Sequence, residues 1–239
     1  MTAAAVSGAR GAAGPLVVAL GTTVIAALLS RFLPDAHAAT GVGLWFLIVV
    51  YALVLRSSDS SDIRAHGLSL GGVFEPEPLS RRRVTAAFAR AVAWALGAAL
   101  ITLPPFWLGY VLWYEPRGGF APAPAPSLFG DVLGQLLGVA FPEEAFYRGY
   151  LQSALDRAWP PARRVLGAKL GLGLLVSSAV FAAGHYLTEP HPARLAVFFP
   201  SLAFGYLRAR SGGIGAPIVF HALCNLFASY LGRSYGLFR

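Results

Sequence analysis

The chain has 239 residues, of which 56% are hydrophobic and 13% are charged. Because an ordinary soluble domain carries about 25% charged residues, this composition and a mean hydropathy of +0.61 exclude an ordinary soluble domain and indicate a membrane protein. The net charge of +8 does not indicate nucleic-acid binding, because the basic residues lie between apolar runs, as the loop charges of membrane proteins do.

The apolar runs predict an all-α, polytopic transmembrane helical bundle with about seven spans, since one span needs about 20 mostly apolar residues. The runs cover residues 14–33, 40–55, 84–114, 127–156, 165–187, 193–209 and 214–232. Pro104-Pro105 in the third run predicts a break in that helix. We divide the one integrated membrane domain into N-terminal helices and loops, residues 1–126, and a helical core, residues 127–239.

The connections between the runs predict the topology. Residues 56–83 form the longest polar stretch, and residues 115–126 (EPRGGFAPAPAP) predict an extended loop. Most Lys and Arg residues lie in loops on one side if the N-terminus is cytoplasmic, which is the positive-inside pattern. We therefore expect a multi-pass protein of the cell inner or plasma membrane. In the alternative, residues 1–38 are a signal peptide that ends in an A-x-A cleavage site.

Two adjacent glutamates lie inside the fourth apolar run. An ionisable residue at membrane depth is costly and therefore indicates a functional site. Residues four apart share a helix face, so Glu144 is predicted to pair with Arg148. Glu143 points about 100° away and needs a partner from another helix. Pro142 removes one backbone hydrogen bond, frees the carbonyl of Gly138, and predicts a kink or a new helix start.

Histidines lie in two other apolar runs. His185 ends the run that begins at Phe181, and His221 shares a helix face with Asn225 at i,i+4. Together with an unpaired glutamate, these residues indicate one polar site between helices. The other histidines lie in predicted loops and are expected at the surface: His37, His66 and His191. Cys224 lies in an apolar run and is expected to be a packing residue.

Glu143 and the two histidines allow two mechanisms. In one, Glu143 and His185 activate a water molecule, and His221 and Asn225 stabilise the oxyanion of a tetrahedral intermediate. In the other, Glu143, His185 and His221 ligate a zinc ion that keeps an open position for water, and Glu144 is the base. No cofactor other than zinc is expected. The sequence has no His-Glu-x-x-His motif.

These motifs resemble those of the CPBP family of intramembrane proteases, which includes CAAX prenyl endopeptidases and bacteriocin-processing proteins. The family pattern is E-E-x-x-x-R, then F-x-x-x-H, then H-x-x-x-N. The sequence contains all three motifs in that order, as Glu143-Glu144 with Arg148, Phe181 with His185, and His221 with Asn225. The resemblance covers roughly residues 127–232.

The resemblance implies an intramembrane endopeptidase of the glutamate or metallo type. Its substrate would be a membrane-associated, lipid-anchored or C-terminally membrane-tethered polypeptide, and its surroundings the lipid bilayer. In that family the first glutamate and the first histidine, here Glu143 and His185, activate water. Two alternatives from other classes are a proton- or ion-coupled transporter, since intramembrane Glu and His residues also relay protons, and a non-catalytic membrane scaffold.

Overall fold

The computed structural model describes residues 3–56 and 58–237. Residues 1, 2 and 57 of the predicted region 1–126, and residues 238 and 239 of the predicted region 127–239, lie outside the described residues. The described chain is mostly helical. Its α-helices are α1 (Ala3–Phe32), α2 (Asp35–Val50), α3 (Ser60–Ala65), α4 (Arg81–Tyr114), α5 (Phe141–Glu144), α6 (Ser153–Ala158), α7 (Leu172–Thr188), α8 (Phe198–Ser211) and α9 (Gly215–Ser234).

Several stretches have wider or tighter helical turns. Tyr51–Leu55 extends α2 as a π-helix, and Pro192–Val197 is a 3₁₀-helix before α8. The π-helical segments Leu128–Val132, Gly134–Ala140 and Ala145–Gln152 join α5 and α6 into one helical stretch, which we call the 128–158 helix. π-Turns are rare and frequently occur at functional sites.

The 128–158 helix continues through Pro142, so no separate helix begins there. Proline cannot donate the backbone hydrogen bond of an α-turn, and the π-turns of Gly134–Ala140 change the hydrogen-bond register immediately before it. The carbonyl of Gly138 faces α2, where a Cβ on Gly43 would lie 2.5 Å from that oxygen. Gly43 therefore permits the close approach of α2 to the loosened turn.

Four helices of the described chain are long and apolar enough to cross a membrane, namely Gly11–Phe32, Asp35–Leu55, Arg81–Tyr114 and Gly215–Ser234. The predicted count of about seven spans is not confirmed. The predicted span at 193–209 is divided into the 3₁₀-helix and the 14-residue α8. The predicted span at 165–187 begins late, and α7 has 17 residues.

The late start of α7 reflects a short β-hairpin, which makes the all-α prediction wrong in this part of the chain. Strand β1 (Arg163–Val165) pairs antiparallel with β2 (Ala168–Leu170). Leu166 and Gly167 connect them with φ angles of 45° and 84°. This left-handed turn is compatible with a two-residue hairpin.

The predicted break at Pro104-Pro105 is wrong, because α4 runs through both residues as a 34-residue helix. Membrane helices tolerate proline where local adjustments satisfy the freed backbone groups. The extended loop predicted at 115–126 is confirmed. The backbone amide of Ala121 donates to the carbonyl of Ser234, at 2.9 Å, and that of Ala123 donates to the Ser234 hydroxyl, at 3.0 Å, so the loop is held against the end of α9.

Aromatic side chains from several helices form the core around the two glutamates. Phe146 stacks on Phe46 of α2 with ring centroids 5.1 Å apart, and Tyr147 meets Phe181 of α7 edge to face at 5.0 Å. Cys224 packs against this core, as predicted. Edge and stacked aromatic pairs add to the stabilisation that burial provides, and they fix the 128–158 helix between α2 and α7.

Two of the three histidines expected at the surface, His37 and His191, are exposed. The prediction for His66 is wrong, because His66 is buried. Its Nδ1 lies 2.8 Å from the carbonyl of Asp62, and its Nε2 lies 2.8 Å from Nη2 of Arg157. His66 thus connects the polar 56–83 stretch to the end of the 128–158 helix.

Candidate active site

Glu144 lies at the centre of a buried polar cluster and is fully buried. Its Oε2 is 3.2 Å from Nε of Arg148, the i,i+4 partner that the helix spacing predicts. Its Oε1 is 2.8 Å from Nδ1 of His221 on α9, a contact that spacing along the sequence does not indicate. Glu144 therefore joins two helices through its two carboxylate oxygens.

Arg148 is also fully buried and bonds to α8. Its Nη2 donates to the hydroxyl of Ser201 at 2.7 Å and to the Ser201 carbonyl at 3.2 Å. The guanidinium carbon lies 4.6 Å from the ring centroid of Phe181 and 5.2 Å from that of Phe204. Cation–π contacts of this kind are strongest when the charge is desolvated. The arginine is held by a carboxylate, a serine and two aromatic faces.

Glu143 has a different environment from its neighbour. Its carboxylate lines a cavity, and its Oε2 lies 3.8 Å from Nε2 of His221. This distance is too long for a direct hydrogen bond but close enough for a charge interaction. Because Nδ1 of His221 faces Glu144, the imidazole stands between the two carboxylates. Glu143 is the member of the pair that reaches open space.

His185 lines the same cavity from α7. Its Nδ1 lies 3.1 Å from the carbonyl of Phe181, one turn earlier. Since a carbonyl oxygen accepts, Nδ1 carries the proton of the neutral ring, and Nε2 is left as an acceptor. Gly184 allows α7 to come close, because a Cβ there would lie 2.8 Å from Thr23 Cγ2 and 3.2 Å from the Tyr147 hydroxyl.

Asn225 lines the cavity from α9, one turn after His221. Its Nδ2 donates to Oε1 of Gln135 on the 128–158 helix at 2.9 Å. One N–H of the amide is thus used to fix the side chain, and the second N–H stays available to a ligand. His221 does not belong to the described lining of the cavity and is only 2% exposed.

The cavity has a volume of about 720 Å³, within the range of small-ligand sites. Residues from α1, α2, α4, the 128–158 helix, α7 and α9 line it, together with Arg194 of the 3₁₀-helix. It therefore brings Glu143, His185 and Asn225 to one space, although they lie in three separate parts of the sequence. The N-terminal helices supply one wall of a site whose motifs all lie in the C-terminal half.

The zinc hypothesis requires three metal-binding side chains that come together. In residues 3–56 and 58–237, no group of three His, Cys, Asp or Glu side chains is placed to hold a metal ion. His221 presents Nδ1 to Glu144, and His185 presents Nδ1 to a carbonyl, so Nε2 of each ring is the nitrogen that a metal would have to use. Because no three such side chains come together in the described residues, the arrangement as it stands does not fit a zinc ion.

Several residues of the site carry no recognisable motif in the sequence. Gln135 fixes Asn225, Ser201 binds Arg148, and Thr23 lies 3.1 Å from the Tyr147 hydroxyl. A polar residue within an apolar run was the available signal, since such residues are costly at membrane depth. The presence of a polar residue does not identify its hydrogen-bond partner, because each of these contacts joins residues far apart in the chain.

The cavity thus brings a glutamate, a histidine and an asparagine together within a bundle of apolar helices. Residues 125–227 match the family model described as Type II CAAX prenyl endopeptidase Rce1-like. This region of the chain is similar to that protease family, and the match agrees with the resemblance to the CPBP family. The match and the apolar helices make the chain an integral membrane protein. No curated protein and no solved structure matches the chain.

Proposed function

We propose that the protein is an intramembrane endopeptidase that hydrolyses a peptide bond of a membrane-associated, lipid-anchored or C-terminally membrane-tethered polypeptide. The observation that carries this proposal is the convergence of Glu143, His185 and Asn225 on one cavity. The family match over residues 125–227 supports proteolysis as the reaction. The cavity reaches helices of the predicted N-terminal region, 1–126, so we treat that region and 127–239 as one functional unit, with the N-terminus cytoplasmic in an inner or plasma membrane.

In the proposed mechanism, Glu143 is the general base that takes a proton from water while the water oxygen attacks the scissile carbonyl carbon. His185 orients that water through the acceptor Nε2. The carbonyl oxygen becomes an oxyanion, and the second N–H of Asn225 donates to it. The proton held by Glu143 then passes to the leaving amine as the C–N bond breaks.

His221 and Glu144 position the base in this proposal. An Nδ1–H of His221 donates to Glu144, which directs Nε2 toward Glu143. His221 was expected to share the oxyanion with Asn225, but its burial away from the cavity favours the positioning role. Arg148 holds Glu144 in place and has no direct part in the chemistry.

The test is the isosteric change Glu143→Gln in purified protein reconstituted with quenched fluorescent peptides, some prenylated near the C-terminus and some carrying a transmembrane anchor. Removing a general base lowers turnover by about 10²–10⁴-fold, with thermal unfolding unchanged. The matched control is Glu115→Gln, in the exposed 115–126 loop. Undiminished cleavage by the Glu143 variant would refute the proposal, and pH-dependent ion flux lost in the same variant would support the transporter instead.

The sequence also allows a zinc ion held by Glu143, His185 and His221, which would supply an activated water with Glu144 as base, although these side chains are not placed to hold the ion in the structure. Elemental analysis of the purified protein, together with cleavage assays before and after chelation, distinguishes the two. Full activity in a preparation free of zinc supports direct water activation. Stoichiometric zinc that is lost together with activity would require the side chains to rearrange into a ligand set.

A further inference from the structure

A second cavity, of about 1080 Å³, lies on the opposite side of the 128–158 helix. It runs between the first turns of α4, the 56–83 stretch and the start of α9, and we call it the α4 groove. Its interior is apolar: Phe74 and Phe141 stack with ring centroids 5.8 Å apart, and Leu136 and Val219 contribute further aliphatic surface. This interior is large enough and apolar enough for hydrocarbon chains.

The mouth of the α4 groove is positively charged. Arg82 and Arg90 line it and are exposed, and neither guanidinium has a hydrogen-bond or ion-pair partner within the described chain. At 1.5 Å per residue they lie about 12 Å apart along α4. Two other lining arginines, Arg64 and Arg83, share the carboxylate of Glu75, the one acidic residue in the described lining. The lining therefore carries a net positive charge.

The position of the α4 groove along a membrane helix restricts what can fill it. Arg82 and Arg90 lie at the charged end of a candidate span, where a helix passes from the apolar layer to the polar headgroups. Trp94, one turn further in, also lines the groove, and the guanidinium carbon of Arg210 lies 4.8 Å from its ring centroid. Tryptophan is enriched at this depth of a bilayer.

A cationic mouth above an apolar interior matches an amphiphile with an anionic head. Basic pockets between transmembrane helices bind anionic lipid headgroups. We propose that the α4 groove binds one anionic phospholipid, with its phosphate between Arg82 and Arg90 and its acyl chains against Phe74 and Phe141. A membrane supplies such a lipid directly at this depth.

A lipid in this groove would contact the same helix that carries Glu143. Leu136, Leu137 and Phe141 face the groove, whereas Gln135 and Glu143 face the candidate active-site cavity. The 128–158 helix is thus the wall between the two spaces. Binding of the lipid can be measured without proteolysis, so the result does not depend on whether the proposed enzymatic function is correct.

The test uses a phosphatidylglycerol with brominated acyl chains, because bromine quenches tryptophan fluorescence on contact. The lipid is titrated into protein held in phosphatidylcholine nanodiscs, and the part of the quenching that is lost in Trp94→Phe reports the groove. We expect saturable quenching in the natural protein. The variant Arg82→Gln/Arg90→Gln should bind about 30-fold more weakly, from ~1 kcal/mol for each hydrogen bond lost to the phosphate.

Two control variants separate a built site from general surface charge. Arg81→Gln/Arg117→Gln removes the same charge from exposed positions that do not line the groove, and we expect its affinity within about twofold of the natural protein. Ala86→Phe keeps the charge and fills the groove, and should weaken binding at least tenfold. Equal weakening in the Arg81/Arg117 control would refute the proposal. So would full competition by soluble glycerol phosphate, which would show a phosphate site without chains.

Discussion

The buried ion pair of Arg148 gives the sharpest stability prediction. The side chain is fully buried, forms an ion pair with Glu144 at 3.2 Å, and donates twice to Ser201. Arg148→Met keeps a similar apolar length but removes the charge and both hydrogen bonds. Glu144 is then left with His221 as its remaining partner. Because one member of a buried pair is left without its counter-charge, we expect a loss of about 3–5 kcal/mol of unfolding free energy.

Glu144→Gln should cost a similar amount, because it leaves the guanidinium of Arg148 buried without a carboxylate. The double variant Arg148→Met/Glu144→Gln removes both charges, so its loss should be smaller than the sum of the single losses by about 0.5–3 kcal/mol. The three variants and the natural protein form a double-mutant cycle.

The cycle can be measured by titrating the purified protein from mild detergent into dodecyl sulfate and following helix content and tryptophan fluorescence. Arg117→Met, in the exposed 115–126 loop, is the matched control and should leave the unfolding midpoint unchanged. If Arg148→Met unfolded at the same midpoint as this control, or if the two single losses were additive, the charge pair would not stabilise the fold and the reasoning would be wrong.

Two further predictions concern packing and pH. Gly184→Ala should lower the free energy of unfolding by about 1–3 kcal/mol and reduce cleavage, because the new methyl group would lie 2.8 Å from Thr23 Cγ2. The control is Gly97→Ala, which has no described atom within 4 Å of its Cβ position. In a thermal unfolding assay of both variants, this control should be neutral or stabilising. Burial lowers the pKa of His66, so the unfolded chain binds a proton below pH ~6.5 that the folded chain rejects. Stability should therefore be fully present above pH ~6.5 and fall on acidification toward pH 5, and His66→Gln should flatten that fall. An unchanged pH profile in the variant would exclude His66 as the cause.

The limits of sequence interpretation follow from the range of each interaction. Residues four apart on a helix are neighbours whatever surrounds them, so the contact of Glu144 with Arg148 could be predicted. The contact of Glu144 with His221 spans 77 positions. The pairing of Gln135 with Asn225 spans 90. No local rule sets these distances, because they depend on how helices pack.

The errors have the same origin. Hydropathy averages over a window and cannot separate an apolar helix that crosses a membrane from a shorter one within the bundle, so 165–187 and 193–209 were predicted as full spans. His66 was expected at the surface because its neighbours in sequence are polar, yet Arg157 from another helix covers it. Pro104-Pro105 predicted a break that the continuous α4 does not have.

Composition and i,i+4 spacing are local properties of the chain. They are enough to predict an apolar helical protein with a costly glutamate pair in one apolar run, a histidine in a second, and a histidine with an asparagine in a third. The spacing also predicts the pairing of Glu144 with Arg148, but the remaining partners of both glutamates depend on the tertiary structure. Glu144 is enclosed by Arg148 and His221, and Glu143 reaches the cavity with His185 and Asn225. The reason is physical: a buried charge requires partners, and the packing of α7, α8 and α9 around one helix sets which carboxylate receives them.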